Sequence, residues 1–220
     1  MLIANPTKKG TGIEIWGDCN DLQCLYDVIS YLSLFNSTTN EATLERNERL
    51  LTIVPYEIRH AFQGERLINT HVDNGHDCKT LYYEFRTDWI TILFTYSALR
   101  FNAAHTQTDA FIQGWLYLLE FQIKNAIYMY DELGAIAIEP LIEQGLNVST
   151  KYVYLLHQNY VAKYLSMKSG KKRFRSIPLL LTDKAFEKEI INSIDECIAS
   201  ENCSICEVKP SNEVKSTIIW

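Results

Sequence analysis

The densest run of apolar and aromatic residues in the chain is WITILFTYSALRFNAAHTQTDAFIQGWLYLLEFQIKNAIYMYDEL, which extends over residues 89–133. Its apolar residues recur at helical spacing, and polar residues divide it near positions 106–108, so the pattern predicts two helices joined there. A membrane span is not predicted, because Arg100, Glu120 and Lys124 interrupt the run and charges are costly in lipid. We therefore expect the two helices to form the hydrophobic centre of the fold.

The second of these helices carries one narrow polar line. When residues are placed about 100° apart around a helix axis, the polar ones align and nearly all others are apolar or aromatic. Neighbours usually cover such a helix on most sides, so we expect it to be buried. Two interpretations of the line stay open. In the first, the line is the helix's only solvent-exposed strip, an interpretation favoured because charged residues are rarely buried. In the second, the line faces an internal cleft. The residues of this polar line are Gln113, Glu120, Lys124 and Asp131.

Two β-hairpins are predicted in the first third of the chain. The first pairs residues 2–4 with residues 12–16 across a segment rich in turn formers. Gly10-Thr11-Gly12 leads into a strand and not into a helix, so we interpret it as a turn and not as a phosphate-binding loop. The second hairpin pairs residues 66–72 with residues 78–86 around Asn74-Gly75, a dipeptide that supplies the positive φ angles of a tight turn.

The remainder of the chain is predicted to be helical. Pro55 is expected to interrupt a helix that begins near Glu41, because proline lacks an N–H, and Gly64 to end the next one. Residues 178–181 are predicted to be extended. The sequence thus predicts an α+β fold, a small antiparallel sheet from two N-terminal hairpins packed on a mostly helical remainder. We expect a single domain over residues 1–220, with its sheet at roughly 1–88, its helices at roughly 89–200 and a short C-terminal tail.

Composition favours a folded protein with an ordinary core. The 220 residues are 47% hydrophobic and 22% charged, with a net charge of −6. An acidic chain is a poor candidate for a dedicated nucleic-acid binder, because phosphate contacts need a basic surface. The six cysteines are irregularly spaced and no export signal is evident, so we expect reduced thiols and a cytoplasmic location.

An ordered set of sequence patterns runs through residues 1–135. The patterns are GTGIEIWGD…DL..LY, then a hairpin, then W..ILF..SALRF and WLYLLE…A..MYDELG. In this order the chain resembles an uncharacterised family of bacterial hypothetical proteins. The resemblance implies no known activity and carries over no functional residue.

The most concentrated charge in the sequence is a basic run at residues 168–175, which holds five of the chain's 21 lysines and arginines. Such a cluster can bind phosphate or an acidic partner, with Phe174 available to stack. The alternative is a solvated loop after a helix, whose C-terminal end attracts cations. The cations predicted to bind an anion or a partner are Lys171, Lys172, Arg173 and Arg175.

Two groups of metal-ligand residue types lack the pattern of a metal site. Cys203 and Cys206 have the spacing of half a zinc site, but no second pair follows them. Ligand types also surround the Asn74-Gly75 turn, where Asp, Asn and His are common in any case. We therefore predict no metal and no cofactor. The ligand types at the turn are His71, Asp73, His76, Asp77 and Cys78.

No sequence pattern is sufficient for catalysis. A Gly-x-Ser-x-Gly nucleophile motif is absent from the sequence. Glu207 and Lys209, with Asp195 as a second acid, have the residue types of a metal-dependent nuclease, but their spacing is permissive and geometry must decide. The leading hypothesis is a non-catalytic intracellular protein-interaction protein that binds a protein partner or its own copies. The alternative is a nucleic-acid-associated or metal-dependent hydrolase.

Overall fold

The structure is a computed structural model that describes residues 1–34, 41–72 and 79–201, together with residues 205, 207, 208, 218 and 220. The predicted turn at Asn74-Gly75 and most of the C-terminal tail lie outside the described residues. None of the helices in these ranges is long and apolar enough to cross a membrane.

Within the described ranges, four strands form one antiparallel sheet. They are β1 (Ile3–Pro6), β2 (Gly12–Gly17), β3 (Ile68–Val72) and β4 (Lys79–Asp88), in the order β1-β2-β4-β3. Both predicted hairpins are confirmed, and pairing of β2 with β4 joins them, with Ile15 opposite Phe85. Ile15 and Phe85 are buried, so this side of the sheet faces the core. Gly10 has a φ of 62° in the first turn, which confirms the turn interpretation of Gly10-Thr11-Gly12.

The helices follow and flank the sheet, and the first four of them contact it. The α+β class is therefore confirmed. Their bounds are α1 (Cys19–Leu34), α2 (Glu41–His60), α3 (Trp89–His105), α4 (Ala110–Tyr130), α5 (Glu132–Gln144), α6 (Val153–Ser166), α7 (Lys171–Arg175), α8 (Ile177–Thr182) and α9 (Lys184–Glu201).

Helix α3 lies at the centre of the core. Thirteen of its 17 residues are buried, and it contacts β2, β4 and the helices α1, α2, α4, α5 and α6. Asp88 ends β4 and caps α3, because its side chain accepts from the backbone N–H of Thr91 at 2.9 Å. One hydrophobic cluster includes residues from the sheet and from the helices, and the single domain over residues 1–220 stays a prediction.

Three sequence predictions about helices are wrong. Pro55 lies inside α2 and does not interrupt it, because buried Leu51, Val54 and Ile58 hold that helix against the core. Residues 178–181 are helical in α8, where Pro178 occupies the first turn and its missing N–H loses no helical bond. Helix α4 is not covered on most sides, since only six of its 21 residues are buried.

Two other local predictions are confirmed. Helices α3 and α4 are joined at residues 106–109, as the break in the apolar run indicated. Gly64 has a φ of 82° at the end of a short π-helix, Ala61–Glu65, that continues α2. Glycine adopts this left-handed conformation without the strain that a side chain would add.

Candidate functional site

The carboxylate of Asp131 connects the polar line of α4 to the basic run. It is almost fully buried and accepts from Arg175 at 2.7 Å from Nε and 2.8 Å from Nη2. Lys171 Nζ lies 3.3 Å away, and the backbone N–H of Gly134 donates to the same carboxylate at 2.9 Å, which caps α5. The hydrogen bond from Arg175, aided by that cap, holds the pKa of Asp131 well below its ordinary value.

Helix α7 directs two residues of the basic run into the protein. Arg173 is buried, donates from Nη2 to the hydroxyl of Thr11 at 2.8 Å, and lies 4.7 Å from the centre of the Tyr164 ring. Phe174 is fully buried beside it, whereas Lys172 is exposed. The fold thus engages Lys171, Arg173 and Arg175 in contacts within the chain, and anion binding by the four cations stays a prediction.

Glu120 and Lys124 of the polar line border a groove between α3, α4 and α5 that encloses about 450 Å³. The hydroxyl of Tyr96 donates to Glu120 Oε2 at 2.5 Å, and Lys124 Nζ lies 3.2 Å from both Glu120 and Glu143. Burial, and then its hydrogen bond to Glu120, raise the pKa of Tyr96. For Glu120, burial opposes ionisation, but hydrogen bonds from Tyr96 and Lys124 outweigh it and lower the pKa.

The polar line as a whole does not face one common space. Gln113 donates to the hydroxyl of Thr108 at 2.8 Å and accepts from Arg100 at 3.5 Å, near the start of α4. Asp131 lies at the opposite end, against α7. The line is therefore a row of side chains bonded to neighbouring elements, and a ligand-binding role for it stays a prediction.

The outer side of α4 presents large apolar side chains to solvent. Tyr117 is 59% exposed and Phe121 is 62% exposed, although Leu119 and Ile123 on the opposite side are buried. The sequence analysis missed this surface because it expected neighbours on most sides of the helix. We call it the aromatic face, and its exposed residues are Phe111, Gly114, Tyr117, Phe121, Asn125, Tyr128 and Met129.

A buried chain of polar groups lies at the start of α3 and was also missed. The Thr91 hydroxyl donates to Asp88 at 2.6 Å and lies 2.9 Å from Nε2 of His157 in α6. Burial lowers the pKa of His157 to about 3, so the imidazole is neutral at physiological pH, and burial raises the pKa of Asp88. The Asp-x-x-Thr spacing after a strand is a helix-cap signal, but nothing in the local sequence points to a histidine 66 residues later.

The remaining sequence candidates are only partly described. Asp195 accepts from the hydroxyl of Tyr152 at 2.6 Å. Lys209, Cys203, Cys206 and residues 73–78 lie outside the described residues. Within the described ranges, no group of three or more His, Cys, Asp or Glu side chains is placed to hold a metal ion. The nuclease interpretation therefore stays a prediction.

Comparison with known proteins identifies the family. The family described as Domain of unknown function (DUF6904) matches residues 2–220, so the chain belongs to it. The resemblance to an uncharacterised family is thereby confirmed, over a longer range than residues 1–135, and the bacterial origin stays a prediction. No curated protein and no solved structure matches the chain.

Proposed function

We propose that this member of a family without an assigned activity is a non-catalytic protein-interaction protein, and that its aromatic face binds a second copy of the chain. The observation that supports the proposal is the exposure of Tyr117 and Phe121, each about three-fifths exposed in the middle of α4. Large exposed apolar surfaces on folded proteins commonly mark interaction sites.

The spacing along α4 suits an antiparallel pair of helices. The central residues of the aromatic face are Gly114, Tyr117, Phe121, Asn125 and Tyr128, at successive intervals of three, four, four and three. This pattern keeps them on one stripe of a helix. If a two-fold axis passes beside Phe121, Tyr117 lies opposite Asn125 of the second copy, and Gly114 lies opposite Tyr128. Each contact then occurs twice, as in an isologous dimer.

The small residue in this stripe complements the large one. A Cβ built on Gly114 has no atom within 4 Å, so the helix surface is open there. Tyr128 of the second copy would fill that space. If the residue at position 114 were larger, the Tyr128 ring would keep the two helices apart. The two remaining contacts place Phe121 against itself and the Tyr117 ring against the Asn125 amide, which combines an apolar centre with a polar margin.

The exposed area is sufficient for a small dimer interface. An aromatic side chain has roughly 150–250 Å² of surface. Phe111, Tyr117, Phe121, Tyr128 and Met129 are about half exposed on average, so they offer roughly 500 Å² per copy. The dimer would bury about 1,000 Å², the lower bound for specific interfaces. None of the five central residues is charged, so the stripe places no like charges opposite each other.

Sedimentation equilibrium of the full chain tests this proposal. Tyr117→Ala removes two contacts per dimer and is expected to raise the dimer dissociation constant at least tenfold, which corresponds to about 1.4 kcal/mol. Tyr56→Ala is the matched control, because Tyr56 is a comparably exposed tyrosine on α2. A wild-type chain that stays monomeric at about 100 µM, well above the micromolar constants of weak standard interfaces, overturns the proposal, as does an equal effect of both variants.

A substitution at Gly114 separates binding from folding. Gly114→Leu removes a glycine from an exposed helix position and is expected to stabilise the monomer by about 0.5–1 kcal/mol. The leucine would also occupy the space that Tyr128 of the second copy needs, so dimerisation should weaken. Urea unfolding of the dilute monomer and sedimentation of concentrated samples measure the two effects. A more stable monomer with unchanged dimerisation contradicts this interface.

The cytoplasm is the proposed location of this interaction. Cys19, Cys24 and Cys197 are free thiols, which a reducing compartment would preserve. Fractionation of the native host tests the location, and recovery of the chain from a secreted or membrane fraction would contradict it.

A further inference from the structure

A cavity of about 410 Å³ lies beside the end of β4 and the start of α3. Its volume is typical of sites that hold small molecules. Apolar walls come from Ile53 of α2, from Leu67 and from the described C-terminal residues Ile218 and Trp220. The cavity is separate from the aromatic face of α4, which contributes none of its lining residues.

A buried carboxylate in this cavity has an unused oxygen. Glu84 of β4 is only 1% exposed and lines the cavity. One of its oxygens accepts from Arg86 Nε. The other, Oε2, is buried and has no hydrogen-bond partner. Buried carboxylate oxygens are normally paired, because leaving one without a donor loses the hydration it had in water. A ligand with N–H donors would supply the missing bond.

The charges around the cavity leave an excess of acid. Arg66 is already paired with Glu57 at 2.9 Å. Arg86 serves both Glu84 and Glu14, with Nη2 lying 3.4 Å from the Glu14 carboxylate. Both guanidinium groups are therefore already paired with carboxylates, and that of Arg86 is shared by Glu84 and Glu14. Burial raises the pKa of Glu84, as does the Glu14 carboxylate, and a cation in the cavity would favour the charged form of Glu84.

Asp88 adds to the excess of acidic groups around the cavity, but its oxygens already accept hydrogen bonds within the chain. It lines the cavity and already accepts from the backbone N–H and the hydroxyl of Thr91, at 2.9 Å and 2.6 Å. A divalent metal would need several free oxygen ligands, and Glu84 offers one. A single ammonium or amidinium group needs only one strong acceptor and an apolar or aromatic wall.

We propose that the cavity beside Glu84 binds a small organic cation, an amine or amidine with an apolar body. Its N–H groups donate to Glu84 Oε2, and its body packs on Leu67 and Ile53. The ring of Trp220 supplies the aromatic surface that favours a cation over a neutral group. This inference does not depend on the proposed dimer.

Three fragments of nearly equal shape test the proposal on the full wild-type chain. They are benzylamine, benzyl alcohol and benzoate, and binding is followed by NMR titration of the backbone amides of β4 and α3. Benzylamine is expected to bind at least tenfold more tightly than the alcohol, and benzoate not to bind. Equal or tighter binding of the alcohol or of benzoate overturns the proposal. So does the absence of benzylamine binding at about 10 mM, the weakest affinity expected for a fragment of this size.

Two variants locate the binding. Glu84→Gln keeps the shape of the side chain but removes its charge, and is expected to lower the benzylamine affinity at least tenfold. Glu132→Gln, at an exposed carboxylate that does not line the cavity, should leave it unchanged. If Glu84→Gln does not fold, Trp220→Ala serves as the second variant, with a predicted loss of the preference for benzylamine over benzyl alcohol. Unchanged affinity and preference in a folded variant of either kind overturn the proposal.

Discussion

Helices α3 and α4 follow each other in the chain and are both rich in apolar residues, yet they bury very different shares of their surface. In α3, 13 of 17 residues are buried, whereas in α4 only six of 21 are. α3 even buries polar residues such as Thr95 and Asn102, while α4 leaves Phe121 in solvent. The number of elements packed around a helix, and not its own hydropathy, decides what it buries.

Most polar side chains of the two helices also differ in what they bond to. In α3 they bond to distant backbone: Asn102 donates to the carbonyl of Leu32 at 3.0 Å, and Ser97 accepts from the N–H of Leu146 at 3.0 Å. In α4, Lys124 pairs with the carboxylates of Glu120 and Glu143 at the surface. Polar groups in α3 therefore hold other elements against the core. In α4, buried Gln122 does the same, because it accepts from the N–H of Ala4 at 3.0 Å and donates to the carbonyl of Leu2 at 2.7 Å.

The largest expected difference between the two helices is in their response to the same Phe→Ala substitution. Phe94→Ala in α3 removes a buried ring that contacts His157 and Tyr160, and is expected to lower the free energy of unfolding by about 3–5 kcal/mol. Phe121→Ala in α4 should change it by less than about 0.5 kcal/mol in the dilute monomer. Urea unfolding measures both. Equal losses would mean that α4 is as covered as α3.

One pH effect comes from His157 of α6, which is bonded to Thr91 at the start of α3. His157 stays neutral in the fold down to a pKa of about 3, whereas in the unfolded chain it takes up a proton near pH 6.5. Folding stability should thus fall as pH drops below 6.5, by up to about 3 kcal/mol at pH 4.5. His157→Gln should remove this part of the pH dependence. Parallel stability–pH curves for variant and wild type would exclude a neutral buried histidine.

Asp131, at the end of α4, is expected to give an intermediate effect. Asp131→Ala removes the cap of α5 and the two-bond contact with Arg175, and should cost about 2 kcal/mol. Asp131→Asn keeps a capping oxygen and should lose less. Because the pKa of Asp131 is lowered in the fold, its contribution is present above its unfolded pKa and fades as the pH falls below it. Urea unfolding of both variants at pH 7 measures their losses of stability. If Asp131→Asn loses as much as Asp131→Ala, the contribution of Asp131 comes from its charge and not from its capping oxygen.

The smallest predicted effect is at Lys124. Its ion pairs on the rim of the groove are partly exposed, so Lys124→Ala should reduce stability by about 0.5 kcal/mol. High salt should erase the difference from wild type, because it screens exposed charges. A loss above about 2 kcal/mol that persists in salt would place Lys124 in a buried network, and α4 would then resemble α3.

Much of the fold was predictable because its signals are local. The break after His105, the positive φ of Gly64 and the hairpins each depend on a few neighbouring residues. Pro55 and Pro178 were misjudged because propensity is a weak guide where tertiary packing opposes it. The candidate sites were less predictable. Asp131 and Arg175 were both singled out, but separately, and their contact spans 44 residues of chain.

The sequence by itself determined the period of each element, and so which residues of α4 share a side. The stripe of Gly114, Tyr117 and Phe121 was readable in that period. Only the tertiary structure decided that neighbours cover the opposite side and leave this stripe exposed. It also decided that Glu84 has an unpaired oxygen inside a cavity. The physical reason is that periodicity relates residues within one element, whereas coverage and pairing depend on segments that are distant in the chain.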